Sequence, residues 1–393
     1  MSLALVLSFS PILVLNKNFP YERADRIISE ANLVDRYFDA KLTKDIFLNY
    51  SKNVYSQILT KAVELKESSI KAGVPFKINI APTGVFFELA KYDNTILTLL
   101  KKLQSIDAVE FIGTSFYSTM APLAPNTIDE VEEQVRNHIE LFEGSFKYRP
   151  TILVLPHLLY NDRLAKVAQK LSFKAVLTEE VGELSDHRYS FVPSCMENMK
   201  VLIRNYELSQ ALYEGKLEEL LAENNNGIAF LEAERLSRRG PNYVSLLLES
   251  AYRSGKEMIG LSRLLDDTEN GVLTVPEQLT VIDRAYGSGS SSIIKNKFQR
   301  ASMDRLYYLK QYLYELGDQR NIAVWRLLQQ DENLIEMDHH IDGKVSNFVD
   351  GDDAKLAFWS IYSDFEGKVA SKVQAGRRTK QMVTGRYGAQ KPG

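Results

Sequence analysis

The sequence predicts an α/β protein built on a parallel sheet and followed by a helical region. Two patterns carry this expectation. Short, unbroken apolar runs recur along the chain, and stretches of helical period fill the gaps between them. Strands covered on both faces read as continuous apolar runs, whereas half-exposed strands alternate. The candidate strands are Leu3–Ser8, Phe76–Ala81, Ala108–Ile112, Thr151–Leu155, Ala175–Thr178, Lys200–Ile203 and Tyr243–Leu248. The intervening helical patterns are Lys44–Ala72, Asn94–Leu103, Thr127–Phe142 and Asp162–Leu171. Thr127 followed by Glu130 suggests a capping box for its helix. Seven strands with helical crossovers fit a (β/α) barrel, complete or incomplete. They fit an open doubly wound sheet equally well, and periodicity does not choose between the two.

Beyond Gly287 the pattern turns helical, with a long Tyr-, Lys- and Leu-rich helix expected over Ser291–Leu316 and another over Ile322–Gln330. From Lys368 to Gly393 there are seven cations and no Asp or Glu: Lys368, Lys372, Arg377, Arg378, Lys380, Arg386 and Lys391. With Gly376, Gly385, Gly388 and a final Pro-Gly, this segment reads as a flexible basic tail. It could dock on RNA, a ribosome, an acidic protein or a membrane surface. It could equally be a solubilising end, since Tyr387 is its one aromatic residue and no nucleic-acid motif is present.

The 393 residues are 45% hydrophobic and 25% charged, an ordinary globular composition with ample apolar content for a core. A net charge of −3 gives no global attraction to nucleic acid or anionic membranes. A single cysteine, Cys195, excludes an intramolecular disulfide framework, and no catalytic-cysteine signature surrounds it. Leu3–Leu15 is apolar but lacks a basic start and is interrupted by Pro11, so it reads as a buried strand rather than a signal peptide. No window reaches the roughly 18 uninterrupted apolar residues of a membrane span. A cytoplasmic location is expected.

Several strings stand in order along the chain: Thr83-Gly84-Val85-Phe86-Phe87-Glu88-Leu89, Val109-Glu110-Phe111-Ile112-Gly113 with Phe116-Tyr117, and Leu158-Leu159-Tyr160-Asn161. Phe173-Lys174-Ala175-Val176-Leu177-Thr178-Glu179, Arg204-Asn205-Tyr206-Glu207-Leu208-Ser209, Trp325-Arg326-Leu327-Leu328-Gln329 and Ser363-Asp364-Phe365-Glu366 follow. Together they resemble the amylase and glucanotransferase type of glycoside hydrolase family 57. The resemblance implies a (β/α)7 barrel over residues 1–286 and a helical domain over 287–367 packed on it, with the basic tail over 368–393 beyond.

Family 57 enzymes are retaining glycosidases or transglycosylases. Their chemistry needs a carboxylate nucleophile and a carboxylic acid roughly 5–5.5 Å apart. By the resemblance, the nucleophile is a Glu directly before the Leu-Ile-Tyr string after the fourth strand, and here that position is His157. An imidazole moves protons but does not readily form the normal glycosyl ester. The acid is an Asp closing the seventh strand. Aligning its following Phe with Tyr252 puts Leu248 in its place, with Glu249 one residue along and facing the other way if the run is a strand. Binding positions also differ. Phe9-Ser10-Pro11 stands for His-Gln-Pro, and Phe116-Tyr117-Ser118-Thr119 for Tyr-Tyr-His-Ser. Gln210-Ala211 stands for two Asp, and Asp331-Glu332-Asn333 for Ser-Asp-His.

Individual residues keep two readings. His157 is a group at a barrel strand's end or a structural histidine. His339-His340 with Asp338 and Asp342 lacks regular metal-ligand spacing and reads as a solvated loop. The stretch from Gly287 to Ser292 lacks the ending of a phosphate loop and reads as a linker. Tyr307, Tyr308, Tyr312 and Tyr314 pack or offer a sugar platform, and Trp325 stacks on a sugar or staples the helical domain. No cofactor and no metal are expected. The expectation is a catalytically inactive family 57-like homologue that acts by binding, as a partner or regulatory subunit. One alternative is a non-catalytic α-glucan-binding protein with a vestigial cleft of Phe9, Pro11, Tyr117, Ser118, His157, Tyr160, Arg204, Asn205, Glu249, Tyr252, Trp325 and Asn333. The other is an active enzyme with relocated residues, His157 and Glu249.

Overall fold

The computed structural model describes residues 2–19, 33–181, 190–193, 195–196, 198–220, 227–240, 242–266, 271–287, 292–338 and 348–388, with the side chains of the last helix as far as Arg378. The chain forms two compact units. One joins Met1–Ile12 to Lys41–Ile293, and the other joins Leu13–Ala40 to Ile294–Gly393.

In the first unit, β1 (Ser2–Phe9) lies parallel to β2 (Ile78–Pro82) on one side, with Val6 opposite Asn79. Next follow β3 (Val109–Phe111), β4 (Ile152–Val154), β5 (Ala175–Thr178), β6 (Ser190–Pro193), β7 (Lys200–Ile203) and β8 (Gly227–Glu232). β8 pairs with the other side of β1, placing Val6 opposite Phe230. β2 pairs with β3, β4 with β5, and β5 with β7, all parallel. Two thin seams complete the ring. Gly113 and Leu153 bridge β3 to β4, and the Asn205 N–H donates to the Ile228 carbonyl (2.7 Å), tying β7 to β8. Among the described residues the order is therefore β1-β2-β3-β4-β5-β7-β8 and back to β1, a (β/α)7 barrel. β6 runs antiparallel to β7 outside this ring. Alternation sends Ala4, Val6, Ile152, Val154, Ala175, Leu177, Leu202, Ile228 and Phe230 into one interior cluster, so the barrel is filled rather than hollow.

Six of the seven expected strands occur near their expected places; the seventh does not. Tyr243–Leu248 opens the helix Tyr243–Arg253. That helix buries Tyr243, Val244, Leu247, Leu248 and Ala251 and leaves Leu246 52% exposed, a helical stripe compressed into a short apolar run. The barrel's last strand is the run ending at Glu232. The helical stretch expected over 44–72 is interrupted by a π turn at Ser51–Tyr55 between Ala40–Tyr50 and Ser56–Ala72. Thr127 does not form the expected capping box. Its hydroxyl donates to the carbonyls of Ala121 and Ala124 (2.5 and 2.8 Å), leaving the helix Ile128–Phe146 without a side-chain cap.

After β8 the chain visits both ends of the barrel. β9 (Glu257–Met258) pairs with Ser2 and Leu3 at the strands' N-terminal end. Ile259, Leu261 and Leu264 then enter the interior cluster from below. Asn79 donates to the carbonyls of Leu5 and Ile259 and accepts the Leu261 N–H, while Glu110 accepts the N–H and hydroxyl of Ser262. Gly260 makes this fit possible, because a Cβ there would stand 2.2 Å from Glu110 Oε2. β10 (Val272–Leu273), paired with β6, starts the climb to the opposite end.

The second unit begins earlier in the sequence than expected, because residues 13–40 belong to it. The Leu13 N–H donates to Gln330 (2.8 Å), Leu15 bridges to Phe38, and the Tyr37 hydroxyl donates to Asp364 (2.7 Å). Contacts more than 300 residues apart leave no local periodicity to read. Ser291–Leu316 resolves into Lys297–Tyr308, capped by a box between Asn296 and Gln299, and Lys310–Leu316; Gln319–Leu328 follows. The segment expected as a separate tail continues the helix Gly351–Gly388. Its cations are partly engaged. Lys368 pairs with Asp364, Lys372 with Asp318, and Arg377 with both oxygens of Glu315. Arg378 is exposed, Lys380 and Arg386 lie farther along the helix, and Lys391 lies outside the described residues. No helix among the described residues is long and apolar enough to cross a membrane.

Candidate functional site

In (β/α) barrels the C-terminal ends of the strands carry the chemistry. Here that end concentrates buried charge. β4 runs into a turn in which His157 (φ 54°) and Leu158 (φ 58°) both adopt the left-handed region, an uncommon conformation for residues with a Cβ. The Thr178 hydroxyl at the end of β5 holds the turn by donating to the Leu158 carbonyl (2.7 Å). His157 is 4% exposed and meets the Tyr286 ring edge-on at 5.1 Å.

β5 and β7 end in Glu179 and Arg204. Arg204 Nε donates to Glu179 Oε2 (2.9 Å), and its Nη2 reaches both that oxygen and Asp283 Oδ1 (2.5 Å). All three side chains are almost wholly buried. Burial works against the Arg204 charge, but Asp283 and Glu179 outweigh it and hold the guanidinium firmly protonated. Tyr206 lies under both Arg204 and Arg284, which also pairs with Glu180. Burial, then the nearby Glu207, pushes the Glu180 carboxyl up, with Arg284 opposing.

β8 ends in Glu232, a buried residue whose backbone N–H donates to the Tyr213 hydroxyl (2.5 Å) and whose carboxylate pairs with Arg235 (3.5 Å). Arg235 stacks on Tyr213 and lies within electrostatic reach of Tyr286 and Asp283, linking the rim at β8 to that at β7. Two residues on, Glu234 accepts the Ser10 N–H (2.7 Å) and the hydroxyl of Tyr55 (2.5 Å). Burial first, then Glu234, pushes that phenol well up. The π turn inserts one extra residue into its helix, a device common at specialised positions, and Tyr55 is its last residue.

Across the rim runs a strap, Val272–Gly287. The Asp162 N–H donates to the Val275 carbonyl (2.8 Å), and Tyr160 and Val281 exchange two backbone hydrogen bonds. Asn161 Nδ2 donates to the Thr280 hydroxyl (2.8 Å), the Asp283 N–H to the His157 carbonyl (2.8 Å), and the Arg284 N–H to Glu179 (3.0 Å). The strap thus stitches together the loops after β4, β5 and β7.

Of the residues expected in a cleft, this arrangement unites His157, Tyr160 and Arg204. Asn205 caps the helix Tyr206–Glu214 by accepting the Leu208 N–H. Phe9 is a core residue between Tyr55 and Phe86, and Pro11 is buried. The Tyr117 N–H donates to Gln134, and Ser118 occupies a buried left-handed turn. Leu248, Glu249 and Tyr252 ride on a surface helix, where Glu249 pairs with Arg253 (2.5 Å) and Tyr252 meets Phe76. A catalytic pair of His157 and Glu249 is thereby overturned, and the carboxylate closing the seventh barrel strand is Glu232. Trp325 and Asn333 are interior to the helical unit. The Trp325 indole, 0% exposed, donates to the Leu306 carbonyl, and Asn333 donates to Leu328. His339, His340 and Asp342 lie outside the described residues, while Asp338 pairs with Lys295. Glu232, Glu234 and Asp283 were missed. Glu232 and Glu234 follow the apolar run Ile228–Leu231, which reads as a strand no more clearly than Tyr243–Leu248 does, while nothing in the sequence around Asp283 marks it.

A closed parallel barrel with buried acids, an arginine and a histidine at its C-terminal rim defines a (β/α)-barrel protein with an enzyme-like mouth. Residues 12–221 match glycosyl hydrolase family 57, and the chain belongs to that family. A Methanocaldococcus jannaschii protein provisionally described as an alpha-amylase is 24% identical over 90% of this chain and 84% of its own length. The fold is shared with a GH57-type branching enzyme from Pyrococcus horikoshii (TM-score 0.64, 15% identity, 93% and 88% of the two chains). An alpha-amylase from Thermotoga maritima shares it too (TM-score 0.63, 10% identity, 96% and 94%).

Proposed function

We propose that this family 57 barrel no longer cleaves glycosidic bonds by the retaining route and acts by binding, as a partner or regulatory subunit. His157 carries the reading. The end of the fourth strand, where the family resemblance places the nucleophile, presents a buried imidazole on a left-handed turn under Tyr286. Retaining chemistry needs two carboxylates roughly 5–5.5 Å apart, one of them forming the glycosyl ester. Glu232 supplies a carboxyl group at the acid's strand, but an acid alone forms no covalent intermediate. The neighbouring carboxylates Glu179 and Asp283 are committed to Arg204.

A second reading, α-glucan binding without cleavage, is favoured by one observation: Glu232 persists at the rim, beside Arg235 and Tyr213. Reducing-sugar release from maltoheptaose and glycogen, with calorimetric titration in parallel, tests both. No release is expected above a protein-free blank, and none that depends on Glu232. Release that Glu232→Gln abolishes would overturn the non-catalytic reading. Binding without release would favour the glucan-binding form over the partner form.

A further inference from the structure

We infer that the strap Val272–Gly287 is a displaceable internal plug of the barrel mouth, latched by Asp283 on Arg204. The inference rests on reading this mouth as the counterpart of the family's cleft, and it adds a gate to that site.

The strap lies where an extended ligand crossing the ends of β4, β5 and β7 would lie, and it uses their polar groups as such a ligand would. The carbonyls of His157 and Tyr160, the carboxylate of Glu179 and the guanidinium of Arg204 all bond to it. These are groups that could otherwise meet hydroxyls of a sugar chain. Its apolar anchorage is slight by comparison. Leu273, Val275 and Ile282 are buried, whereas Val272 and Leu279 are 70% and 67% exposed. Segments held by exchangeable polar contacts and few buried apolar ones sit at the low-stability end of a fold and open without global unfolding. The latch is a buried ionic contact, whose desolvation offsets much of its attraction, so that another polar partner can replace it. Arg284 clips the strap's outer face to Glu180 and Tyr206.

Diethyl pyrocarbonate, which acylates accessible neutral imidazoles, tests the plug, with peptide mass spectrometry locating the modified histidine. His138 is an internal control for unfolding, since it is 0% exposed and bonded to the Pro82 carbonyl away from the strap. In the full-length protein, His157 should react far more slowly than in the urea-unfolded chain. In Thr280→Ala/Asp283→Asn, which weakens the latch on Arg204, its rate should rise about tenfold while His138 stays protected, as expected for local opening. A second variant guards against misfolding. Asn161→Cys/Thr280→Cys, in a Cys195→Ser background, ties the strap down when oxidised, and reduction should restore the wild-type His157 rate or exceed it. Fast His157 modification in the wild type would overturn the plug. So would equal rates in the opened, oxidised and reduced forms. Maltoheptaose titration of the same proteins separates the two ideas. Sugar bound by the opened form and refused by the oxidised one supports the gate. An opened His157 with no sugar bound leaves the plug standing and counts against the α-glucan reading.

Discussion

The two ends of the barrel are closed by nearby stretches of chain, residues 257–266 and 271–287, yet by opposite means. At the N-terminal end, Ile259, Leu261 and Leu264 continue the interior cluster, and the groups that bond this segment are Asn79 and, through Ser262, Glu110, with the Lys77–Asp107 pair exposed beside them. At the C-terminal end the closure is charged, with Glu179, Arg204 and Asp283 buried together and Glu232 paired with Arg235 nearby. Packing for stability alone favours the first solution, because apolar contact carries no desolvation cost. Buried ion networks often contribute less than the apolar residues that could replace them. The charged mouth is therefore the end that packing for stability explains least, and the apolar base the end it explains best.

The comparison breaks most readily at Arg204. Arg204→Ala leaves Glu179 and Asp283 buried without their cation and should cost about 3–5 kcal/mol in urea unfolding. A loss below about 1 kcal/mol would mean that water already reaches the mouth. Next comes His138, which fastens the helix Ile128–Phe146 to Pro82 at the C-terminal end of β2. Burial depresses its pKa from 6.5 to about 4, so the unfolded chain binds the proton first as pH falls. Its contribution is intact above about pH 6.5 and declines towards pH 4, by about 3 kcal/mol in all. His138→Asn should flatten that limb of the stability–pH curve; an unchanged curve would refute a buried neutral imidazole.

At the other end, Asn79→Ala removes bonds to Leu5, Ile259 and Leu261 and should cost about 1–3 kcal/mol. Because Asn79 carries no titratable group, this loss should hardly change with pH from 6 to 9. The smallest effect belongs to Glu110, whose carboxyl is pushed up chiefly by burial, with Ser262 pulling it down. A raised carboxyl binds its proton more tightly in the folded state. Stability then falls as pH rises from the ordinary carboxylate range through the raised value, and stays lower above it. Glu110→Gln keeps an acceptor for Ser262 and should erase this slope. A steeper slope in the variant would reverse the assigned direction.

Much of the barrel was legible in the sequence. The apolar runs of β1, β4, β5 and β7 and most of the helical period between them follow from local burial, although the helix expected over 44–72 is broken by the π turn at Ser51–Tyr55. That His157 follows the fourth strand was equally legible, because it stands in a recognisable string. The last strand was not. Ile228–Leu231 and Tyr243–Leu248 are both short apolar runs, and a run of that length satisfies a strand or one face of a helix. Only pairing with β1 distinguishes them, and with that pairing the residue closing the barrel's last strand is Glu232 rather than Leu248. Tertiary structure alone also joined residues 13–40 to the helical unit and brought Asp283 to Arg204. Such contacts depend on where distant segments meet in space, and charge buried between them has no signature in the residues on either side.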